Sequence, residues 1–313
     1  MVVRVGVIGC GWFGSAHARV YRQIGEAELV AVMDKDPAAA RRLGELYRIN
    51  YYSSIEEMLR KEELDAVSVV VTPQKLFEAS MKVIEHGVSL IVEKPVVVSR
   101  EELSRFVNAV NRSGVIFMPG FIELFNLAVV KAKELMDNGE IGEILALWSR
   151  RVGRTPKKKL GWKIGVSLDL AVHEVYVYNR LMGGRPDNVA SFTAKVLNEG
   201  GEGEDLAIFI MGYGRVIGSI ETNWLTPVGI RELLISGETG TIIVDYVNQS
   251  VEVNKGDVSV IPKYRRKETL LSELEYFVSH VKRGEKPDIS IEMTKEVLET
   301  LFDGLESSIP LGK

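Results

Sequence analysis

Short apolar runs alternate with longer amphipathic stretches over the first third of the chain. The apolar runs, rich in β-branched residues, predict strands at Val2–Ile8, Leu29–Met33, Ala66–Val71, Ser89–Val92 and Val115–Met118. Apolar residues at helical spacing predict helices near 14–24, 36–47, 54–61, 75–86 and 100–113. Strands that alternate with helices are typical of a parallel sheet with right-handed crossovers. We therefore predict an α/β, doubly wound domain over residues 1–120.

Beyond residue 120 the pattern changes to a few helices and many consecutive strands. Helices are predicted near 126–137, 167–182, 267–283 and 291–306, and a basic loop is predicted over 153–166. Strands are predicted near 143–152, 187–197, 204–213, 215–223, 230–236, 240–245 and 249–254. Glycine-rich turns link the later strands and favour an antiparallel meander. Residues 121–313 are thus predicted to form an α+β domain for substrate binding and oligomerisation.

Composition narrows the class of protein. The 313 residues fit two domains of ordinary size. With 39 Lys and Arg against 43 Asp and Glu, the net charge of −4 supplies no broad field for nucleic acid. Cys10 is the single cysteine, so no intrachain disulfide forms and a reducing compartment is expected. No signal peptide or membrane-spanning run is visible, which predicts a cytoplasmic protein without a membrane partner.

The first chemical motif is Gly9-Cys-Gly-Trp-Phe-Gly14, between a predicted strand and a predicted helix. Gly9 permits the tight turn, Gly11 lets a pyrophosphate approach the backbone, and Gly14 allows the helix to pack closely on the strand. Asp34 follows the second strand, 20 residues after Gly14, where a carboxylate accepts hydrogen bonds from the adenosine ribose. The alternative is a purely structural turn. The motif predicts NAD, with NADP possible because Lys35 could relieve repulsion of a 2′-phosphate by Asp34.

Two further motifs could carry acid–base chemistry. Glu93-Lys94-Pro95 follows a strand at the carboxyl end of the parallel sheet, where ligands sit in this architecture; alternatively Lys94 is a solvated lysine paired with Glu93. Asp169 and His173 stand four residues apart on one predicted helix, so they share a face. A histidine beside a carboxylate suits general base catalysis, and the alternative is a surface pair of little consequence.

These motifs together resemble the glucose-fructose oxidoreductase / inositol dehydrogenase / rhizopine catabolism (Gfo/Idh/MocA) family. The resemblance rests on the glycine motif, Thr72-Pro73, Glu93-Lys-Pro95 and Asp169-Leu-Ala-Val-His173 in that order, and it spans essentially the whole chain. It implies a Rossmann domain, a second domain with an open-faced, mostly antiparallel sheet used for oligomer contacts, and reversible oxidation of a sugar or cyclitol hydroxyl. By analogy, Lys94 would stabilise alkoxide character, His173 would be the acid–base and Asp169 would support it.

The full set of predicted site residues follows from these motifs. The predicted catalytic residues are Lys94, Asp169 and His173. The predicted cofactor-binding residues are Gly9, Gly11, Trp12, Phe13, Gly14, Asp34, Lys35, Thr72, Pro73, Glu93 and Lys94. No metal site is expected, and the expected partners are a small-molecule substrate and further copies of the chain, as a dimer or tetramer.

The chain departs from the family pattern at positions that bear on the substrate. Phe77 and Tyr176 stand where histidine and aspartate are common, and Leu124 replaces a common arginine, so contacts usual in the family are in doubt.

A basic cluster precedes the catalytic helix. Its seven cations are Arg150, Arg151, Arg154, Lys157, Lys158, Lys159 and Lys163. Arginines bind phosphate in a bidentate manner, so Arg151 and Arg154 are predicted to contact a nucleotide sugar; the alternative is a solvated loop.

The resulting expectation is a dehydrogenase for a nucleotide sugar such as UDP-N-acetylglucosamine. A free polyol or cyclitol dehydrogenase of the inositol type is one alternative. A non-catalytic, NAD-sensing or scaffold protein is the other.

Overall fold

The chain folds into two compact units. The computed structural model describes residues 2–154, 162–197 and 203–310. One unit comprises Met1–Phe121 and Leu270–Lys295, and the other comprises Ile122–Thr269 and Glu296–Lys313. The sequence pattern did not indicate that residues 270–295 return to the first unit. The predicted division at residue 120 into a cofactor domain and a substrate domain remains a prediction.

The first unit contains a parallel sheet of six strands in the order β3-β2-β1-β4-β5-β6. Its elements before residue 121 are β1 (Val3–Ile8), α1 (Trp12–Tyr21), β2 (Ala27–Met33), α2 (Pro37–Tyr47), β3 (Asn50–Tyr52), α3 (Ile55–Lys61), β4 (Ala66–Val69), α4 (Pro73–Glu85), β5 (Ser89–Glu93), α5 (Arg100–Ser113) and β6 (Phe117–Gly120). This order is that of a Rossmann fold and confirms the doubly wound prediction. The edge strand β3 was not predicted, because three partly exposed residues carry no strand pattern.

Local sequence explains why these elements form where they do. The residues of β4 are all buried, as expected for a parallel strand covered on both faces. Asp36, Ser54 and Ser99 each begin a helix by accepting a backbone N–H from its first turn. Gly114 ends α5 in the left-handed conformation, with φ +74°. Among the described residues, no helix is both long and apolar enough to cross a bilayer.

The second unit is built on a mixed sheet of nine strands in the order β14-β13-β12-β11-β7-β10-β9-β8-β15. The elements after residue 121 are α6 (Leu127–Asp137), β7 (Ile144–Val152), α7 (Val172–Met182), β8 (Asn188–Ala194), β9 (Leu206–Tyr213), β10 (Val216–Asn223), β11 (Ile230–Gly237), β12 (Thr241–Asp245), β13 (Ser250–Lys255), β14 (Val258–Val260), α8 (Thr269–Arg283), α9 (Ile291–Glu306) and β15 (Ile309–Pro310). The predicted large, mostly antiparallel sheet is confirmed.

The predicted continuous meander is wrong at one place. β7 lies between β10 and β11, parallel to β10 and antiparallel to β11. Two meanders, β8–β10 and β11–β14, therefore flank a strand that precedes both in the chain. The residues 224–229 between β10 and β11 are enough to pass over one strand, since neighbouring strands lie about 4.8 Å apart. Alternating apolar and polar residues predict that a segment is a strand, but they do not indicate which strands become its neighbours in the sheet.

The predicted helix over 167–182 has two parts. Ser167–Ala171 is a single π-helical turn, and α7 continues directly from it. The π-helical turn packs against β7, β9 and β10. Such turns insert one residue into a helix and recur at functional sites. Apolar spacing alone does not separate this turn from regular helix, so the sequence predicted one element.

Candidate active site

The three glycines of the first loop meet three different demands. Gly9 adopts φ +102°, and a Cβ there would lie 2.1 Å from the carbonyl oxygen of Val70. A Cβ on Gly14 would lie 1.8 Å from the carbonyl oxygen of Gly9, so helix and loop touch backbone to backbone. Gly11 is exposed, and a Cβ there would have no neighbour within 4 Å. The open space over Gly11, at the N-terminus of α1, fits the phosphates of a dinucleotide.

Asp34 directly follows β2, and its carboxylate is hydrogen-bonded to the glycine loop. One oxygen of its carboxylate accepts the backbone N–H of Cys10 at 2.7 Å, and the other accepts the N–H of Asp36 at 2.9 Å. The carboxylate is therefore fixed in place beside the glycine loop, where it can accept a ribose hydroxyl. Cys10 is buried, and burial followed by the charge of Asp34 raises the pKa of its thiol to about 12. Cys10 thus stays protonated near neutral pH.

Other predicted cofactor residues lie on loops and first helical turns of the first unit. The indole of Trp12 is 76% exposed and stacks on Phe13, with 5.6 Å between ring centroids. Thr72 is exposed and directly precedes α4, and Pro73 is the first residue of that helix. Lys35 is exposed immediately after Asp34. Trp12, Lys35 and Thr72 are exposed, Phe13 is half-buried and Pro73 is buried; their contact with a cofactor remains a prediction.

A chain of buried polar groups lies beneath the Glu93-Lys94-Pro95 motif. Glu93 ends β5, Lys94 is half-buried, and the Lys94–Pro95 peptide is cis. The Oε1 atom of Glu93 lies 3.3 Å from Nε2 of His17, whose Nδ1 lies 3.0 Å from Oγ of Ser68. Sequence reasoning treated His17 as structural and did not foresee its contact with Glu93, because the two belong to different elements.

Space for the Glu93 carboxylate is provided by the neighbouring strand. A Cβ on Gly120 would lie 2.7 Å from Oε1 of Glu93. A side chain at position 120 would therefore displace the carboxylate that precedes Lys94.

Asp169 and His173 occupy the π-helical turn and the first turn of α7 in the second unit. Asp169 is fully buried, and one of its oxygens accepts the indole N–H of Trp224 at 3.3 Å. His173 is 9% exposed, and its Nδ1 lies 2.7 Å from the hydroxyl of Tyr176. The Tyr176 oxygen also accepts the backbone N–H of Glu123 at 3.1 Å. The residue that departs from the family pattern is thus a partner of the candidate acid–base, while support of His173 by Asp169 remains a prediction.

A buried ion cluster lies beside this helix. The guanidinium of Arg151 is 2.6 Å from Glu174 and 3.0 Å from Glu123, and it lies over the ring of Tyr246 at 4.8 Å. Tyr246 also donates to Glu174 at 2.7 Å. Burial alone would lower the pKa of Arg151, but Glu174 and Glu123 outweigh it and raise that pKa above its ordinary value. The arginine is held charged inside the protein by two carboxylates that sequence reasoning missed.

The arginines of the basic cluster differ in burial and in the carboxylates that they bind. Arg151 is 2% exposed and already holds two carboxylates, which argues against the predicted phosphate contact. Arg150 points to the other face of the sheet and pairs with Glu221 at 3.1 Å and Glu232 at 3.8 Å. Arg154 is exposed.

The remaining members of the basic cluster are lysines. Lys163 is exposed. Lys157, Lys158 and Lys159 lie outside the described residues. No group of three or more His, Cys, Asp or Glu side chains within the described ranges is arranged to hold a metal ion.

Comparison with known proteins gives matches along most of the chain. Residues 3–121 match the model of an oxidoreductase family with an NAD-binding Rossmann fold, and residues 129–243 match the C-terminal domain of the Gfo/Idh/MocA family. An uncharacterized oxidoreductase of Streptococcus pneumoniae is 31% identical, over 79% of this chain and 70% of that protein. A myo-inositol 2-dehydrogenase of Thermotoga maritima is 27% identical, over 95% of this chain and 93% of that protein.

A solved structure shows the same fold. It is a UDP-N-acetylglucosamine 3-dehydrogenase from Acidithiobacillus ferrooxidans, 20% identical, with a TM-score of 0.87 over 98% of both chains. Together the matches confirm the resemblance, the oxidoreductase class and the NAD cofactor expected from the sequence. The chain belongs to the Gfo/Idh/MocA family of oxidoreductases, with an NAD-binding Rossmann fold over its first 121 residues.

Proposed function

We propose that this chain is a dehydrogenase that exchanges a hydride between NAD and a hydroxyl-bearing carbon of a sugar or cyclitol. The observation that carries the proposal is the glycine loop. Its backbone is hydrogen-bonded to the Asp34 carboxylate at Cys10, and the space over Gly11 is open. The named relatives support the substrate class, since one acts on myo-inositol and another on UDP-N-acetylglucosamine. When bound, the nicotinamide ring supplies the hydride acceptor or donor.

The remaining task of the protein is to bind substrate and move a proton. In the proposed reaction His173 takes the proton of the reacting hydroxyl, and Lys94 donates a hydrogen bond to the same oxygen as negative charge develops on it. Asp169, held by Trp224, supports His173 or a neighbouring hydroxyl. The cofactor is held by the loop glycines and Asp34, with Trp12, Phe13, Lys35, Thr72, Pro73 and Glu93 around it.

For the substrate itself, a nucleotide sugar of the UDP-N-acetylglucosamine type, oxidised at C3, is the first candidate. The free cyclitol myo-inositol is the second. Arg154 remains a candidate phosphate contact, because it is exposed and has no hydrogen bond or ion pair within the part of the chain that the structure describes. Arg151 is left out of this role, because its charge is already matched by Glu123 and Glu174.

Turnover with a substrate panel tests the proposal. NADH formation is measured with NAD⁺ or NADP⁺ and with UDP-sugars, free sugars and inositols. We expect oxidation of at least one compound, loss of that activity in Lys94→Met with cofactor binding retained, and full activity in Lys131→Met, which removes an outer lysine paired with Glu134. Equal activity of Lys94→Met and the unmodified chain would contradict the role of Lys94. A protein that binds NAD and turns over nothing in the panel would favour the non-catalytic alternative.

We also propose that the chain forms a homo-oligomer through the open face of the second sheet. The register aligns Ile210, Ser219, Trp148, Leu234 and Ile243 in one row across five strands. Trp148 in this row is 43% exposed. A row that is apolar except for Ser219, on an uncovered sheet face, is typical of a surface that another chain covers.

A further inference from the structure

Two arginines, one buried and one exposed, lie side by side on the same face of the second sheet. The antiparallel register of β7 and β11 places Arg231 directly opposite Arg151, so both side chains leave the same face of the sheet. The parallel register of β7 and β10 adds Thr222 on the other side of Arg151. This row lies one residue from the end of β7, where the strand gives way to the loop that leads to Asp169.

The two arginines differ in what they bind. Arg151 is buried and holds both Glu123 and Glu174. Arg231 is exposed, and across the described ranges its side chain makes no hydrogen bond or ion pair. Its backbone carbonyl accepts the N–H of Tyr246 at 3.2 Å. The sheet therefore presents one neutralised arginine and, next to it, one whose five N–H donors are available.

Charges of both signs act on Arg231. They belong to Arg151, Glu123, Asp169 and Glu174. Lost hydration, then repulsion by Arg151, lower the pKa of Arg231 below its ordinary value despite the attraction of the carboxylates. Arg231 is exposed and only partly dehydrated, and it has no direct partner among the described residues; a bidentate oxyanion would stabilise such a cation, and arginine is the side chain best shaped for one.

We propose that Arg231 binds an oxyanion substituent of the substrate, a carboxylate or a phosphate, and so selects acidic sugars over neutral polyols. The inference rests on the proposed function and adds the chemical class of its substrate. Asp169 belongs to the candidate catalytic turn, and its charge acts on Arg231, so the proposed anion would bind on the side of the sheet that carries this turn. The carboxylate of a sugar acid and the diphosphate of a nucleotide sugar are both compatible with this chemistry.

The experiment compares Arg231→Gln and Arg231→Lys with the matched control Arg150→Gln. Arg150 is a strand neighbour on the opposite face, paired with Glu221 and Glu232. Substrates are UDP-N-acetylglucosamine, a free uronic acid and the corresponding neutral sugar or inositol. For the acidic substrate that is oxidised, we expect kcat/KM to fall about 10- to 100-fold in Arg231→Gln, mainly through KM, as for loss of a charge-assisted hydrogen bond. Arg231→Lys recovers part of the loss, and Arg150→Gln loses nothing.

The pattern across substrates decides the outcome. If kcat/KM of Arg231→Gln falls only for the phosphate-bearing substrate, the oxyanion is a phosphate. If it falls only for the carboxylate-bearing substrate, the oxyanion is a carboxylate. An equal loss on neutral and acidic substrates would overturn the inference, because it would mean that Arg231 only balances the charge of the carboxylates around it. An unchanged kcat/KM for every substrate would overturn it too.

A binding measurement separates this inference from the proposed function. Calorimetry with pyrophosphate and with glucuronate, at saturating NAD⁺ to occupy the glycine loop, needs no turnover. We expect at least one anion to bind the unmodified protein and Arg150→Gln, and to bind Arg231→Gln about tenfold more weakly or worse. If neither anion binds, or if both variants bind equally, Arg231 is not an oxyanion site, whether or not the protein oxidises a neutral alcohol.

Discussion

The phenolic oxygen of Tyr176 lies 2.7 Å from Nδ1 of His173 and also accepts the backbone N–H of Glu123. An amide N–H can only donate, so it occupies one lone pair of the phenol, and the second lone pair can accept Nδ1–H of His173. The proposed role of His173 as the base requires an unprotonated Nε2, so the neutral imidazole should carry its proton on Nδ1 and donate it to Tyr176. We therefore expect Tyr176 to set which nitrogen of His173 is protonated, without the negative charge that an aspartate would bring.

Removing this hydroxyl with Tyr176→Phe is expected to lower kcat about 10-fold or more while KM changes little, because His173 loses its fixed tautomer but no substrate contact is removed. Imidazole ¹⁵N chemical shifts report the tautomer directly. The control is Tyr178→Phe, which removes a hydroxyl on the same helix that bonds Ser149 and the carbonyl of Ser219. Identical ¹⁵N shifts in Tyr176→Phe and the unmodified protein would contradict the assignment.

The Arg151 cluster predicts a large stability difference between adjacent arginines. Arg151→Met leaves Glu123 and Glu174 buried without their cation and should lower the free energy of unfolding by about 3–5 kcal/mol. Arg150→Met removes ion pairs on the open face and should cost at most about 1 kcal/mol. Urea denaturation measures both. Similar losses for the two variants would mean that the buried carboxylates find another partner or become protonated.

Gly11 and Gly14 should separate cofactor binding from folding. A Cβ on Gly11 meets nothing in the protein, so Gly11→Ala should leave the melting temperature unchanged and weaken NAD binding about tenfold or more, since the methyl occupies the phosphate cradle. Gly14→Ala forces the methyl against the carbonyl of Gly9 and should lower stability by about 1–3 kcal/mol or prevent folding. Calorimetry with NAD and thermal melts give the two readouts. Unchanged NAD affinity in Gly11→Ala would place the pyrophosphate elsewhere.

Asp34 should decide between the two nicotinamide cofactors. Asp34→Ala removes both the ribose acceptor and the charge that repels a 2′-phosphate, so the ratio of NAD to NADP affinity should fall at least about tenfold. Asp36→Ala is the control, because that carboxylate caps α2 and should cost only about 1 kcal/mol of stability. Titration of each variant with both cofactors measures the ratio. A ratio that does not change would remove Asp34 from the ribose site.

The apolar row on the open sheet predicts the oligomeric state. Trp148→Glu should convert the assembly to monomers in light scattering coupled to size-exclusion chromatography, because it buries a charge in the proposed interface. Val130→Glu places the same charge on an exposed position of α6 and should leave the assembly intact. If the unmodified chain is itself a monomer at micromolar concentration, the proposed interface is wrong.

The first sheet was predictable because its signals are local. The glycine loop needs a positive φ at Gly9 and a close backbone approach at Gly14, and a side chain at either position would clash with a carbonyl. The strands beside it are buried on both faces and therefore read as continuous apolar runs. A single sequence was enough to place the loop, its strand and its helix.

The ion cluster was not predictable for the opposite reason. Arg151 lies in a run of cations that reads as a solvated loop, while its partners Glu174 and Glu123 lie 23 and 28 residues away. Pairing across such distances depends on which strands become neighbours, and the pattern misassigned the position of β7 in the second sheet. The same register places Arg231 beside Arg151. Because the sequence did not predict that β11 pairs with β7, it did not predict that these two arginines are neighbours.

The central position of β7 has a consequence for how the second unit assembles. β7 is made before either meander during synthesis, yet it pairs with strands that begin at residues 216 and 230. Each meander can form from contacts that are short-range in sequence. Pairing β7 with β10 and with β11 instead requires the long chain segments between these strands to close into loops, which costs conformational entropy. We expect this joining step to limit the folding rate, and substitutions that weaken the pairing of β7 to slow folding more than equal changes in β13.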